Sequence, residues 1–248
     1  MDPAYGDFYG ELYRRHWWWR VREAVILAEL RRLCPAGGFR HILDVGCGNG
    51  LLFDRLSKLG AVEGVEPDTT LLDPQGPWRH AIHAVPFDDA FVPADRFEAI
   101  LLLDVLEHLD ETAAALHRAV ELLAPGGVIV STVPAFQWLT TSHDVINHHR
   151  RRYNRRDFRA LAARAGMTIT RERYLFPWMV PGKLAARLLE RLRNTPPRLP
   201  IIPPEPFNSV LRIIGQVQER VNAVLRVPFG GSLMVTGSAG QARQYLWP

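Results

Sequence analysis

The chain has 248 residues, 47% hydrophobic and 23% charged, with a formal net charge of +4. That is enough apolar material for the core of one large domain, and it argues against a disordered chain. No run of 18 apolar residues occurs and the first residues are acidic and aromatic, so we expect neither a membrane-spanning helix nor a secretion signal. Two cysteines, Cys34 and Cys47, provide no disulfide framework; we expect a cytoplasmic protein, with association with a membrane as the alternative.

The first predicted element is a helix over residues 10–33, with an apolar stripe that includes Val21 and Val25. Three consecutive tryptophans follow His16 near its start, and Pro35 begins the segment that ends it. The tryptophans either pack this helix onto the domain as a cover or present a ring to a ligand.

A strand, a glycine-rich loop and a helix are predicted in succession from residue 41 onward. Residues 41–45 are mostly apolar, residues 46–50 read GCGNG, and leucines recur on one face of residues 51–59. Glycines let the backbone approach a ligand closely, and the first N–H groups of a helix bind polar or anionic groups. We therefore expect a ligand at this loop.

An acidic residue ends the next predicted strand, residues 61–65. Glu66 stands 20 positions after Gly46, which is the spacing of the acid that accepts hydrogen bonds from ribose hydroxyls in doubly wound folds. The spacing indicates a nucleoside ligand. The glycine pattern lacks the third glycine of G-x-G-x-x-G, which speaks against a dinucleotide such as NAD.

A nearly continuous apolar run, residues 97–103, predicts a strand that is covered on both faces and that ends in DVLEH, residues 104–108. A helix over residues 111–123 and a strand over residues 128–133 follow, which makes a crossover unit and hence a parallel sheet. The end of the 97–103 strand lies at the carboxyl edge of the sheet, where open α/β sheets bind ligands.

In order and spacing, these segments resemble the motifs of the class I S-adenosylmethionine-dependent methyltransferases. DVGCGNG, residues 44–50, looks like their first motif; FEAILLLDVLEHLD and LLAPGGVIVSTVP look like their fourth and fifth strands. The resemblance covers about two thirds of the chain. It implies a doubly wound, seven-stranded, Rossmann-like α/β sheet with a helical N-terminal cover, and S-adenosylmethionine as the cofactor.

The resemblance also implies which residues bind the cofactor. They come from the cover, the glycine loop with its acid, and the end of the fourth strand: Trp18, Arg22, Gly46, Cys47, Gly48, Gly50, Glu66, Pro67, Asp104, Val105 and His108. Arg22 would meet the cofactor carboxylate, Asp104 its methionine end, and His108 the reacting centre. Residues 80–83 lack the acid that the family often places near adenine, so the adenine contact is not assigned.

The sequence D-x-x-E-H at Asp104, Glu107 and His108 resembles the E-x-x-E-H of metal-dependent methyltransferases. Those include the O-methyltransferases of ubiquinone synthesis and the small-RNA 2′-O-methyltransferases, in which two acids and a histidine hold a divalent ion. Here the first acid is the shorter aspartate. We favour the alternative in which Glu107 caps the next helix and His108 lines the pocket, so a divalent metal is a minor alternative and no metal site is predicted.

Residues 136–156 follow the fifth strand and should lie over the same carboxyl edge. They concentrate histidines beside an arginine run, and several bacterial small-molecule methyltransferases of class I carry a similar H-D…H-H-R-R-Y stretch. Because a histidine can take the proton of an acceptor near neutral pH, we predict His143, with Asp144 beside it, as the catalytic base, and His149 as the next candidate. The alternative is a solvated loop whose arginines cap the following helix.

The last third adds a helix over residues 157–165, a strand over residues 167–174 and a final strand over residues 231–237, the last two being antiparallel neighbours in the family. Residues 177–230 form a helical insertion with basic amphipathic helices, which is either a lid over the acceptor pocket or an interface. We predict one methyltransferase domain, in which 10–33 is the cover and 40–176 with 231–240 is the core.

The predicted function is transfer of a methyl group from S-adenosylmethionine to a hydroxyl of a small or lipid-linked acceptor, ahead of transfer to an amine or carbon. Peripheral membrane contact and a homodimer through the insertion remain as alternatives, and a nucleic-acid partner is not favoured. Two other functions remain: a metal-assisted RNA 2′-O-methyltransferase and a non-catalytic protein that binds the cofactor. The identity of the acceptor is not encoded in a pattern that we can read.

Overall fold

The computed structural model describes residues 3–193 and 201–240. Seven strands form a single sheet with the order β3-β2-β1-β4-β5-β7-β6. Their bounds are β1 Phe39–Val45, β2 Gly60–Val65, β3 Ile82–His83, β4 Phe97–Leu103, β5 Leu123–Pro134, β6 Met167–Leu175 and β7 Ser232–Ala239. β7 runs antiparallel to both β5 and β6, and the other pairs are parallel. The prediction of a doubly wound, seven-stranded α/β sheet is confirmed.

Eight α-helices accompany this sheet in the described part of the chain. They are α1 Pro3–Arg15, α2 Trp17–Leu33, α3 Phe53–Leu56, α4 Thr112–Leu122, α5 Ser142–Ile146, α6 Arg155–Arg164, α7 Met179–Arg193 and α8 Phe207–Leu225. None of the helices in these residues combines the length and hydropathy that crossing a bilayer requires.

Two apolar layers cover the faces of the sheet. Leu116 of α4 and Phe158 of α6 belong to one buried cluster, and Ile26 of α2 and Phe53 of α3 belong to the other. The central strands are buried on both sides, because β1 and β4 contribute residues to both clusters. A sheet whose central strands are covered on both faces therefore carries the loops at its carboxyl edge.

The strand register brings the predicted cofactor residues together. Val45 at the end of β1 pairs with Val65 of β2 and with Leu102 of β4. The three residues that follow these strands closely, Gly46, Glu66 and Asp104, consequently meet at one point of the carboxyl edge.

Two local predictions about helices are wrong. The predicted helix 10–33 is broken at His16, whose Nδ1 accepts a hydrogen bond from the Trp18 backbone N–H at 3.1 Å and so caps α2. The helix after the glycine loop is a single turn, Phe53–Leu56, that begins three residues beyond Gly50. The helix therefore does not start in the glycine loop, where the sequence had predicted its start.

Candidate active site

A cavity of about 1380 Å³ opens at the carboxyl edge of the sheet. It is lined by the N-terminal helices, the glycine loop, the ends of β2 and β4, and the segment after α5. Pockets for a single small ligand usually measure about 300–1,000 Å³. This cavity is therefore large enough for a nucleoside cofactor together with an acceptor.

Two glycines of the loop shape the cavity wall for different reasons. Gly46 has φ +67°, and a Cβ on it would lie 2.9 Å from Val105 Cγ2, so the close approach of the β4 end requires glycine. Gly48 has φ +53° and no atom within 4 Å of a Cβ position, which leaves space for a ligand. Gly50, with φ +69°, does not line the cavity in the described structure, and a Cβ on it would lie 3.2 Å from Phe53.

Glu66 is buried, and backbone N–H groups of the glycine loop and of Asp68 hold its carboxylate in place. Its Oε2 accepts a hydrogen bond from Gly48 N–H and its Oε1 from Asp68 N–H, both at 2.9 Å. A carboxylate has about four lone-pair positions, so two remain for ribose hydroxyls. Burial raises the pKa of Glu66 in spite of these two backbone hydrogen bonds. Cys47 in the glycine loop and Pro67, which follows Glu66, also line the cavity.

Asp44, the penultimate residue of β1, was not predicted from the sequence as a site residue. Its carboxyl is 5% exposed and lines the cavity. Burial raises its pKa to about 7, the nearby Arg22 lowers it in part, and Glu66 raises it further. An acid poised in this way beneath the glycine loop can be neutral or charged near pH 7.

The buried Arg22 of α2 forms an ion pair with the partly exposed Asp104. The guanidinium Nη2 lies 2.7 Å from Asp104 Oδ2 and donates to Thr132 Oγ1 at 3.0 Å, and Thr132 donates to Asp104 Oδ1 at 2.9 Å. The Cζ atom of the same guanidinium lies 5.9 Å from the centroid of the Trp18 ring, which is within the range of a cation–π contact. Burial lowers the pKa of Arg22, but the facing anions, Asp104 foremost, raise it by more. Asp104 itself sits at φ +59°, a strained position for a non-glycine residue that is common at functional sites.

A second buried network orients His149. Asp144, 3% exposed, accepts two hydrogen bonds from Arg152, from Nε and Nη2, each at 2.9 Å, and one from Thr141 N–H at 2.8 Å. His149 Nδ1 lies 2.9 Å from Asp144 Oδ1. Burial by itself would raise the pKa of Asp144, but the hydrogen bonds from His149 and Arg152 hold it well below its ordinary value. Because Asp144 is ionised, Nδ1 of His149 carries its proton and Nε2 is the basic nitrogen.

The network gives Asp144 a described histidine partner within residues 136–156. Asp144 pairs with His149, five positions on, and the side chain of His143 lies outside the described residues. His149 lines the cavity, whereas Asp144 does not line it in the described structure and lies behind the imidazole. Of the predicted residues His143, Asp144 and His149, His149 lies at the cavity and Asp144 positions it.

Glu107, His108 and His149 form the cluster that could hold a metal ion. One ligand atom of each lies within 4.8 Å of the others. Glu107 is fully buried, and neither carboxylate oxygen has a hydrogen-bond partner among the described residues; its Oε1 is 4.0 Å from His149 Nε2. Burial, followed by the charge of Asp104, raises the pKa of Glu107 well above its ordinary value. Burial and His149 lower the pKa of His108 to about 4.

This cluster differs from the D-x-x-E-H set that the sequence suggested. Asp104 faces Arg22 and Thr132, and His149 from the following segment takes its place beside Glu107 and His108. Glu107 does not cap the next helix either, since α4 begins at Thr112. His108 lines the cavity as expected.

Lys183 of α7 is a cavity residue that the sequence pattern did not mark. Its Nζ lies 3.5 Å from the position of a Cβ on Gly231, and both residues line the cavity. Burial lowers its pKa to about 8, and Arg152 adds to this effect. Among the described residues of the insertion, Lys183 alone lines the cavity, and no residue of α8 does so. The lid hypothesis for the whole insertion is therefore not supported for α8.

The residues present fit the cofactor that the resemblance implied. Gly48 leaves room for a ligand, Glu66 offers two acceptor positions beside it, and Trp18 and Arg22 close the far side of the cavity. An aromatic ring, a guanidinium and a buried carboxylate around one cavity suit a nucleoside bearing a charged amino-acid tail.

Comparison with known proteins agrees with this fit. A family model described as a methyltransferase domain matches residues 18–172, more than half of the chain. Ubiquinone biosynthesis O-methyltransferase of Rhodopseudomonas palustris strain TIE-1 is 32% identical over 104 residues, 40% of this chain and 41% of that protein. The enzyme of the same name from Albidiferax ferrireducens is 29% identical over 153 residues, 53% of this chain and 59% of that protein. The chain thus spans 41% and 59% of the length of these two curated relatives.

Solved structures share the fold at low sequence identity. A chain of the complex between the Haloferax volcanii Trm112 methyltransferase activator and a methyltransferase superposes with a TM-score of 0.61 at 16% identity, over 98% of this chain and 97% of that chain. An S-adenosylmethionine-dependent methyltransferase from Archaeoglobus fulgidus gives 0.53 at 17% identity, over 87% of this chain and 93% of that chain. The chain therefore belongs to the methyltransferase-domain family, and its predicted membership of the class I S-adenosylmethionine-dependent methyltransferases is confirmed.

Proposed function

We propose that this chain transfers a methyl group to a hydroxyl oxygen of a small or lipid-linked acceptor, and that His149 is the base. The observation that carries the proposal is the chain of hydrogen bonds from Arg152 through Asp144 to His149, which ends at the cavity. The relatives in the curated set are named O-methyltransferases, which supports oxygen ahead of nitrogen or carbon as the acceptor atom.

The remaining site residues would bind different parts of the cofactor on opposite sides of the cavity. Gly46, Gly48 and Glu66 hold the nucleoside part, and Arg22 with Trp18 holds the amino-acid part. Arg22 keeps its bonds to Asp104, so the cofactor carboxylate would approach a guanidinium that is already fixed in orientation. When bound, S-adenosylmethionine supplies a methyl carbon on a positively charged sulfur.

His149 performs the proton transfer that the reaction needs. Its Nε2 accepts the proton of the acceptor hydroxyl as the oxygen attacks the methyl carbon. The bound cofactor would give up its methyl group to the oxygen and become a neutral thioether, and His149 would hold the proton of the acceptor hydroxyl. Asp144 accepts the Nδ1–H bond and stabilises the imidazolium, and Arg152 fixes Asp144.

Lys183 supports an acceptor with an acidic substituent. Within the described residues the structure records no hydrogen bond or ion pair for its ammonium, although burial already disfavours its charge. A carboxylate or phosphate on the acceptor would compensate that charge inside the cavity. We therefore include an anionic group near the reacting hydroxyl in the proposed acceptor.

A second candidate is metal-assisted transfer at the cluster of Glu107, His108 and His149. The observation in its favour is the buried Glu107 carboxylate, which has no hydrogen-bond partner among the described residues and lies beside two histidines. Oxygen and imidazole ligands suit Mg²⁺, Mn²⁺ or Zn²⁺. In that case His149 would be a ligand and the acceptor hydroxyl would lose its proton by binding the metal.

One experiment separates these candidates and tests the proposal. Formation of S-adenosylhomocysteine is measured in metabolite and lipid extracts with wild-type protein and with His149→Ala, His143→Ala and the matched neighbour His148→Ala, whose side chain is exposed. We expect His149→Ala to lower turnover about 10²- to 10⁴-fold and His148→Ala to leave it unchanged. Undiminished turnover in His149→Ala would reject His149 as the base. Loss of wild-type turnover in EDTA, with recovery on adding Mg²⁺, Mn²⁺ or Zn²⁺, would favour the metal-assisted candidate.

A further inference from the structure

Helix α8 is inserted in the fold with its polar side inward. Asn208, Glu219 and Asn222 are buried, and each hydrogen-bonds to the body of the domain. Asn208 Oδ1 accepts from Trp17 N–H at 3.0 Å, Glu219 Oε1 accepts from Phe176 N–H at 2.6 Å, and Asn222 Nδ2 donates to the Tyr174 carbonyl at 2.7 Å. The polar stripe of α8 thus fixes the helix on α2 and the end of β6.

The apolar side of α8 consequently faces outward. Eight large apolar side chains of this helix are between 46% and 80% exposed, and they recur at spacings of mostly three and four residues: Phe207, Val210, Ile213, Ile214, Val217, Val221, Val224 and Leu225. A surface helix ordinarily does the reverse, with its apolar stripe against the core. Monomeric proteins rarely leave a continuous apolar stripe of this length uncovered, so the outer face of α8 is an interaction surface.

The charges around this stripe select its partner. Every exposed ionisable residue from 207 to 229 is an arginine, namely Arg212, Arg220 and Arg226, and the one acid in that stretch, Glu219, is buried. A second copy of the chain, related by a two-fold axis, would place this helix against itself and would offer the three arginines only Glu205, the exposed acid just before α8, which already accepts from Asn208 and Ser209 and faces Arg212. A coiled-coil seam has apolar residues at alternating spacings of three and four. The stripe on α8 is wider than such a seam, because Ile213 and Leu225 are exposed beside it. A bilayer with anionic headgroups supplies both an apolar layer and the missing negative charge.

We propose that the outer face of α8 docks on the surface of an anionic lipid bilayer, with the helix axis in the plane of the interface. The helix lies on the membrane and does not cross it, because its polar side is bonded to the protein along its length. Both ends of α8 attach near the cavity: Asn208 bonds to α2 beside Trp18, and Gly231 and Ser232, shortly after the helix, line the cavity. Docking in this orientation would bring the cavity to a lipid-linked acceptor, a consequence that rests on the proposed function, whereas the docking itself does not.

The first test is co-sedimentation of the purified full chain with vesicles of phosphatidylcholine alone and of phosphatidylcholine with phosphatidylglycerol. We expect binding to the anionic vesicles and at least tenfold weaker binding to the neutral ones, with further loss at high salt. Val217→Glu with Val221→Glu should lower the partition coefficient at least tenfold. Val92→Glu is the matched control, because Val92 is 80% exposed in a loop away from α8 and should leave binding unchanged.

The second test concerns the arginines. Arg212→Gln with Arg220→Gln should weaken binding to anionic vesicles by about fivefold for each residue, or about 25-fold together. The same change at Arg40 and Arg164, which are exposed on other elements, should have little effect.

Two further readouts keep the proposal distinct from the proposed function and from its alternatives. Heat of S-adenosylmethionine binding by each variant reports whether the fold and cofactor site are intact, independently of any acceptor. The oligomeric state is measured by light scattering. A dimer that the Val217→Glu, Val221→Glu variant dissociates, without vesicle binding by the wild type, would assign this face to a second copy and overturn the proposal, and vesicle binding that both variant pairs leave intact would overturn it as well.

Discussion

Replacement of Asp144 by Asn tests the network that orients His149. Asp144 receives two hydrogen bonds from Arg152, one from the Thr141 backbone and one from His149 Nδ1. The substitution keeps the shape of the side chain and removes its charge. It leaves the Arg152 guanidinium, 7% exposed, without its counter-charge, and it removes the acceptor that holds the proton of His149 on Nδ1.

Two magnitudes follow from this geometry. Leaving one member of a buried ion pair uncompensated costs about 3–5 kcal/mol of unfolding free energy. For a chain of this size, each kcal/mol lowers Tm by about 2–4 °C, so the variant should melt well below the wild type. Loss of the correctly oriented base should lower kcat by about 10²- to 10⁴-fold, with a smaller effect on KM.

The two effects can be separated with a double variant. Arg152→Met combined with Asp144→Asn removes both charges, so its loss of stability should be smaller than the sum of the two single losses by about 0.5–3 kcal/mol. The kcat of the double variant should stay low, because His149 still lacks its carboxylate. Stability is measured by urea unfolding and kcat by S-adenosylhomocysteine formation at a temperature where every variant is folded. Glu11→Gln, which breaks the exposed pair of Glu11 and Arg15, is the control and should cost less than about 1 kcal/mol.

A folded Asp144→Asn protein that turns over at the wild-type rate would refute this role of Asp144. That result would make Asp144 and Arg152 a structural pair and would leave His149 without a positioned proton. Recovery of kcat in the double variant would be equally damaging, since it would show that the slow step depended on stability and not on the carboxylate.

Four further outcomes are expected. Arg22→Ala should raise the Kd of S-adenosylmethionine at least about tenfold in calorimetry, because the guanidinium closes the cavity and its loss leaves Asp104 unpaired. Glu66→Gln should raise the same Kd by about 10- to 100-fold, because ribose loses its charged acceptor; titration of S-adenosylmethionine into buffer gives the heat of dilution as the control. The pKa of Asp44 is raised to about 7, so between pH 4 and 7 the native state binds a proton that the unfolded chain has released. The free energy of unfolding should therefore fall by about 1.4 kcal/mol for each unit that the pH rises over this range. Asp44→Asn should flatten that slope in urea unfolding measured across the range. Lys183→Met should raise KM for an anionic acceptor about tenfold at pH 7, a difference that shrinks above the lysine pKa of about 8; an unchanged KM would remove Lys183 from the acceptor site.

Elements with a strong apolar pattern could be predicted closely from the sequence. The predicted strand 97–103 coincides with β4, and the predicted helix 111–123 and strand 167–174 agree with α4 and β6 within two residues. The reason is that a strand buried on both faces requires an apolar residue at nearly every position, and few other structures produce that pattern. Weak or mixed patterns fared worse, as the single-turn α3 and the break at His16 show.

The cofactor half of the site was also readable from the sequence, because its residues follow directly after neighbouring parallel strands. Gly46, Glu66 and Asp104 meet wherever three such strands lie side by side. The partners of their side chains were not readable. Arg22 comes from a helix 82 positions before Asp104, and only the packing of α2 on the sheet brings the two charges within 2.7 Å.

The sequence by itself determined the sheet, the position of the glycine loop with its acid, and membership of the family, since each depends on periodicity and short spacing within or between adjacent strands. Only the tertiary structure decided that Asp144 pairs with His149, that Lys183 reaches the cavity, and that α8 turns its polar side inward. A helix with two stripes can face the core with either one. The choice depends on the groups available on α2 and β6 to satisfy buried Asn208, Glu219 and Asn222, and those groups lie far away along the chain.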